Sequence, residues 1–413
     1  MTNIGIVGTG ISGLQLALTL QRAGIGTTVY AERSPDEMRR TRLPNMVMRY
    51  SPTVNRERRL GVEHWAHSGS RIDAISPSIL GTPIAFTGRL EQAGSAVDFR
   101  VYLSRLMEDY ADRGGHVVIG RRSPEDIVAG SDAHDLTVVA SGRESVNAFF
   151  SRDPDRSTYN APQRLLCAAL CRGITPLPAT VTMWNAPGVG EGFLYPFFSV
   201  HGLVSVIGFE AIPGGPLEPI NRVSYDDDPA AFERLTVDLL RQYAPTVYER
   251  IDHSEFGITG PLDIMQGAIT PTVRRPYCEV APGRFVVAVG DAYVVNDPIC
   301  GQGANLGSTS AAVLAEAICQ DVAYDEWFCR SLARELWAVA EPVTNFNNSF
   351  LVPPQPHVAA ILGAATNYPS VADAFCNNFA NPAAMWRAIA SPDRAAAFLA
   401  SAGPAQPAMS RAS

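Results

Sequence analysis

Gly8, Gly10 and Gly13 stand between a short apolar run holding Ile4, Ile6 and Val7 and a helical pattern through Leu14, Ala17, Leu18 and Leu20. Strand, tight turn and helix in that order open a βαβ unit. Each glycine answers a separate physical need. Gly8 permits the turn, Gly10 lets backbone approach a pyrophosphate, and Gly13 lets the helix pack on the strand. The helix start, with Ile11 and Ser12, turns free N–H groups and the positive end of its dipole toward the phosphates. A second β-branched run, Thr27 to Tyr30, leads to Glu32, 24 residues beyond Gly8, near the spacing at which a carboxylate meets an adenosine ribose. The pattern predicts a Rossmann-like α/β dinucleotide-binding domain, with NAD and FAD both open at this point. Arg33 is a candidate contact to adenine or phosphate, with a solvated surface charge as the competing reading.

Composition narrows the partners. At 413 residues the chain is long enough for two or three compact units. With 41 acidic against 33 basic residues the net charge is −8, so no basic field is present to follow nucleic acid or an anionic membrane. Every basic residue is arginine, which removes a Schiff-base lysine and a P-loop lysine. The seven cysteines form no CxxC pair and fit reduced thiols, and His64 and His67, the nearest histidine pair, have no catalytic role assigned, so no metal is expected. No charged leader precedes an apolar segment and no run reaches membrane length; a complete, cytoplasmic protein without membrane contact is expected.

A second glycine-rich segment lies far downstream. The buried-strand run Phe285 to Val289 is followed by Gly290-Asp291, then Asp297-Pro298 and Gly301-Gln302-Gly303-Ala304-Asn305, before an alanine-rich helical stretch. Together with Gly8 to Gly13 and Glu32, this series resembles the FAD-dependent aromatic hydroxylase fold, and within it the styrene and indole monooxygenases. The resemblance implies that Asp291 binds the ribityl chain of FAD and that Gly303 to Asn305 point a helix N-terminus at the flavin pyrimidine ring, where reduced flavin carries negative charge. It also implies that Pro298, Gly301 and Gln302 belong to the flavin site. Arg42-Leu43-Pro44-Asn45-Met46-Val47 is similar to a segment beside the isoalloxazine ring. Arg42 is then a cofactor contact, Asn45 the best single catalytic candidate, and Val47 and Arg49 substrate contacts. Arg100 matches an arginine near FAD in related flavoproteins, against a surface ion pair.

Two departures refine the resemblance. Single-component aromatic hydroxylases carry an Asp-Gly pair where this chain reads Ala140-Ser141-Gly142-Arg143, so NAD(P)H is not expected to bind. The resemblance then implies reduced FAD delivered by a separate NAD(P)H-dependent flavin reductase. Arg49 stands where a histidine is expected, and small residues at Ala74, Ser76 and Ser78 predict a wider cavity, suited to an indole larger than the parent.

The remaining pattern predicts an amphipathic helix through Phe99, Tyr102, Leu106 and Tyr110, a β-sheet over the flavin built from runs such as Val181 to Trp184 and Leu203 to Phe209, and a helix after Asp228. The expected division is a discontinuous FAD domain of 1–165 with 276–325, a substrate domain of 166–275, and C-terminal helices over 326–413 ending in a frayed tail from Pro404. The expected activity is epoxidation of an aromatic alkene or of the indole C2=C3 bond with O2, through a flavin C4a-hydroperoxide, with a homodimer as the candidate assembly. Such oxygen transfer needs positioning and water exclusion more than a strong acid or base. The rivals are an NAD(P)H-dependent FAD hydroxylase and a non-catalytic flavin or NAD sensor.

Overall fold

Two large β-sheets, beside a small antiparallel pair of Thr272–Val273 with Val294–Val295, divide the molecule in the computed structural model, which describes residues 2–142, 149–320 and 323–403. The expected Arg143 to Val146 stretch and the tail from Pro404 lie outside the described residues. The first sheet has six strands, in the order Tyr277–Ala281, Arg284–Ala288, Leu136–Val139, Asn3–Val7, Gly26–Ala31 and His116–Ile119. All but the outermost Tyr277–Ala281 run parallel. The order reverses beside Asn3–Val7: the chain first builds outward to Gly26–Ala31 and His116–Ile119, then returns to the other side with Leu136–Val139. Such a switch point opens a crevice at the C-terminal ends of parallel strands. Helices Ile11–Arg22 and Gly303–Ile318 pack against each other over this sheet, with Phe99–Asp112 beside the first of them.

The second sheet has eight strands. Gly257–Ile258 and Ile264–Ala268 both pair with Leu165–Arg172, which continues through Gly202–Ala211, Gly190–Ser199, Thr180–Ala186, Arg71–Ile79 and Gly88–Ser95. Residues 71–95 therefore depart from the sequence-based division, which grouped them with the nucleotide domain. They are joined to the second sheet by the parallel register of Ala74 to Ile79 on Thr180 to Asn185. Alternation along Gly202–Ala211 sends Val204 and Val206 to one face and Ile207, Phe209 and Ala211 to the other. The first face packs on C-terminal helices through Phe346, Ile361 and Phe375, and the second on helix Pro229–Tyr243 through Phe232 and Leu240. Asp228 caps that helix by accepting from Ala231 N at 2.8 Å, so the triple-aspartate run ends in a helix start.

The C-terminal part is helical from Glu326, whose N-cap Asp325 accepts from Phe328 N at 3.0 Å. Each of the four later helices begins with proline, at Pro356, Pro369, Pro382 and Pro392, where the missing N–H costs nothing. No described helix is long and apolar enough to cross a membrane. All seven cysteines are unpaired.

Candidate functional site

The crevice at the switch point is a cavity of about 440 Å³. Val7, Tyr30, Gly120 and Ala140 line it from the ends of four neighbouring parallel strands. Gly8, Gly10, Ile11 and Ser12 line it from the opening turn, and Gly301, Gly303 and Ala304 from the distant one. The two glycine-rich segments thus face a single cleft, each presenting the N-terminus of a helix, Ile11–Arg22 and Gly303–Ile318. Their close approach depends on small residues at the crossing. A side-chain carbon on Gly307 would lie 2.6 Å from Ser12 Oγ, and one on Gly290, whose φ is +62°, would lie 2.3 Å from the same atom.

The three opening glycines separate by cause. Gly8 has φ +115°, and Gly13 packs so closely that an added Cβ would lie 2.1 Å from Gly8 O. Gly10 has an ordinary φ of −70°, and its Cβ would meet nothing nearer than Ala140 O at 3.7 Å. Protein packing does not require glycine there. The open side faces the cleft, as does that of Gly303, where an added Cβ would meet no atom within 4 Å.

Glu32 and Arg33 line the far end, with their side chains 3.8 Å apart. Arg121 and Arg122 join them there, the latter stacked 4.5 Å over the Tyr30 ring. Sequence reading missed both arginines, although they follow the parallel strand His116–Ile119 after Gly120, a position that points to the crevice. Asp291 lines the cleft with its side chain exposed to it, and desolvation by the surrounding protein pushes its carboxyl above the ordinary range against the pull of Arg274. Asn296 was also missed. It lines the cleft with both amide atoms buried and without a partner among the described residues. Such orphaned groups fit a site shaped for a polar ligand.

A smaller, apolar pocket of about 90 Å³ adjoins the cleft. Asn45, Val47, Leu166, Met265, Pro298 and Gly301 line both spaces. Asn45 Oδ1 accepts from Val47 N at 3.0 Å, which fixes the side chain while its Nδ2 has no partner among the described residues. Beyond this boundary the pocket is walled by Ile75, Val181, Met183 and Phe193 of the second sheet.

Several sequence expectations are corrected. Arg42 does not line the cleft; it turns outward to Pro261 O and Asp226, the latter at 3.0 Å. Arg49 is fully buried away from both spaces, bonded to Glu57 at 2.8 Å and lying 4.2 Å over the Tyr102 ring. An uncompensated buried charge is costly, so the glutamate of helix Ser51–Leu60 holds it in the interior. Arg100 is likewise sequestered, between Asp98 at 2.6 Å and Asp263 at 2.7 Å. Gln302 donates to Cys300 O and Phe379 O and does not reach the cleft. Asn305 has its side chain occupied: Oδ1 accepts from Tyr50 N and Thr53 Oγ1, and Nδ2 donates to Met48 O and Gly301 O. It positions the 45–50 segment against the second glycine turn rather than facing the cleft. Ala74, Ser76 and Ser78 do not widen the pocket; their neighbour Ile75 faces it.

A family model for the domain assigned to substrate binding in styrene monooxygenase A matches residues 142–250. A styrene monooxygenase StyA of Pseudomonas fluorescens is 36% identical over 95% of this chain and 96% of its own length. A second StyA, from a Pseudomonas species, is 35% identical with the same coverage. Among solved structures, the flavin-dependent brominase Bmp2 aligns with a TM-score of 0.66 at 15% identity, over 95% of this chain and all of the brominase. A flavoprotein/dehydrogenase from Cytophaga hutchinsonii aligns with a TM-score of 0.67 at 13% identity, over 92% of each chain. These two likenesses concern the fold.

Proposed function

From the premise that this chain belongs to the styrene monooxygenase family, and is an FAD-dependent monooxygenase, we propose that it is the oxygenase component of a two-component system acting on an aromatic alkene or an indole. The observation that carries this reading is the convergence of two helix N-termini on one cleft that opens directly into an apolar pocket. Bound in reduced form, FAD supplies two electrons to O2, so that one oxygen atom is transferred to the carbon–carbon double bond and the other leaves as water.

The chain's own residues bind and orient. The turn Gly8 to Gly13 holds the pyrophosphate through backbone N–H groups, with Gly10 giving the close approach. Glu32 accepts from the ribose hydroxyls and Arg33 flanks them. Asp291 receives the ribityl hydroxyls, and the helix starting at Gly303 and Ala304 stabilises negative charge on the flavin edge. Pro298 and Gly301 close the boundary with the substrate pocket. Asn45 presents an amide to the reacting space without titrating, while Val47 packs on the substrate. The apolar walls exclude water from the oxygen-transfer step.

A partner flavin reductase is part of this reading because Ser141 stands where NAD(P)H-using relatives of the fold carry an aspartate. Mixing the purified protein with FAD and NADH should leave the flavin yellow. Adding an unrelated flavin reductase should yield the epoxide of styrene or an indole oxidation product. Rapid bleaching without reductase would instead make the chain a self-sufficient hydroxylase, and absence of product with reductase would make it a flavin sensor.

A further inference from the structure

The pocket beside the cleft contains one side chain that its pattern does not explain. Along Gly202–Ala211, alternation assigns Glu210 to the same face as Val204 and Val206, a position for an apolar residue. Glu210 is only 2% exposed, lines this pocket, and makes no side-chain hydrogen bond or ion pair among the described residues; its Oε2 is buried and orphaned. It also pairs directly across the sheet with Glu191, an unfavourable juxtaposition of like groups.

The neighbouring cation does not relieve it. Arg164 is committed to Glu191, Gln163 O and Leu351 O. Burial, with Asp297 and Glu191 nearby, pushes the Glu210 carboxyl well above the ordinary carboxylate range. That direction favours the protonated acid, whose carbonyl oxygen can accept a hydrogen bond. The other polar side chains on the wall already have hydrogen-bond partners within the protein. Tyr195 donates to Met46 O, Tyr50 donates to Cys300 O at 3.3 Å, and Asn45 Oδ1 already receives Val47 N. An apolar chamber whose one uncommitted carboxyl is walled by Val181, Met183 and Phe193 recognises a flat aromatic molecule with a hydrogen-bond donor.

We propose that Glu210 is a specificity-determining residue that accepts a hydrogen bond from a ring N–H, so that the pocket selects indole-type substrates over purely hydrocarbon alkenes. This rests on the monooxygenase reading above, but its test is separate. Calorimetry on the FAD-loaded protein would compare indole with indene, which keeps the bicyclic shape and the double bond but replaces N–H by CH2, and with 1-methylindole. Indole should bind about ten-fold or more tightly than either, since the lost bond leaves a buried acceptor unmet. Glu210→Gln keeps the carbonyl and should keep the preference; Glu210→Met should bring the indole-to-indene ratio close to one. Equal affinities in the unaltered protein, or a ratio unmoved by Glu210→Met, would overturn the proposal. If Glu210→Met fails to fold, the three-ligand comparison on the unaltered protein decides alone. Oxygenation with supplied reduced FAD is read in parallel: its failure with indole preference intact would remove the monooxygenase reading and leave the recognition of ring N–H standing.

Discussion

Gly10 and Gly13 share a motif but not a reason, and single added methyl groups separate them. Gly13→Ala drives a carbon to 2.1 Å from Gly8 O and should destabilise the fold by about 1–3 kcal/mol, seen in thermal unfolding. Gly10→Ala meets nothing in the protein nearer than an ordinary 3.7 Å contact with Ala140 O, so its melting temperature should hold. The methyl instead stands where a phosphate approaches, and FAD affinity should fall about ten-fold or more, as for the loss of a charge-assisted hydrogen bond. Unchanged FAD affinity in a folded Gly10→Ala protein would remove the pyrophosphate from this turn. At the same scale, sequence position misleads most for arginines. Arg42 and Arg100 stand at family-like positions and Arg49 where a histidine is expected, yet the three side chains turn to Asp226, Asp98 and Glu57, because a long cation follows the nearest carboxylate and not the chain's alignment. Arg121 and Arg122, which do line the cleft, carry no local motif and became visible only as the residues after a parallel strand.

The paired strands Gly190–Ser199 and Gly202–Ala211 concentrate acids in an apolar setting, with consequences for pH. Burial pushes Glu191 up to about 7 and Asp297 up to about 6, with Arg164 acting against the shift in both. Glu210 is raised well above the ordinary range, with burial the largest cause. An acid whose value is raised on folding binds its proton more tightly in the native state than in the unfolded one. Its contribution to stability is complete below the ordinary carboxylate value and is lost as pH climbs toward the folded value. Stability from this cluster should therefore decline from about pH 4.5 through 7 and beyond. Glu210→Gln cannot ionise, so it should lose less stability than the unaltered protein between pH 5 and pH 8 in urea unfolding. Parallel slopes for the two proteins would contradict a protonated Glu210. At this scale the strands themselves were readable from β-branched runs, but their partners were not. Arg71–Ile79 pairs in parallel with Thr180–Ala186, a contact across a hundred residues that no local period encodes.

The whole molecule is tied together where its two sheets meet. Arg100, on a helix of the nucleotide half, bonds Asp98 of its own helix start and Asp263 beside the second sheet, and Asp263 also bonds His201 at 2.8 Å. Arg100→Met leaves Asp98 without its buried cation and strips Asp263 to its bonds with His201 and Thr259, and should cost about 3–5 kcal/mol of stability by denaturant unfolding. Its indole-to-indene preference should be unaltered, because neither Arg100 nor its partners reach the pocket. A changed preference with stability intact would return Arg100 to the site. The FAD-type cleft was legible from residues alone, since a turn that needs positive φ, a close helix crossing and a helix N-terminus each demand glycine for local steric reasons. The substrate side was not legible. Which residues face the pocket depends on how the second sheet, the 45–50 segment and the C-terminal helices pack, and Glu210, buried and without a pair among the described residues, reads in sequence like any other glutamate until its neighbours are known. Short-range backbone geometry leaves its mark in the order of residues, whereas cavity shape and the electrostatics of burial arise only when distant segments close around a common space.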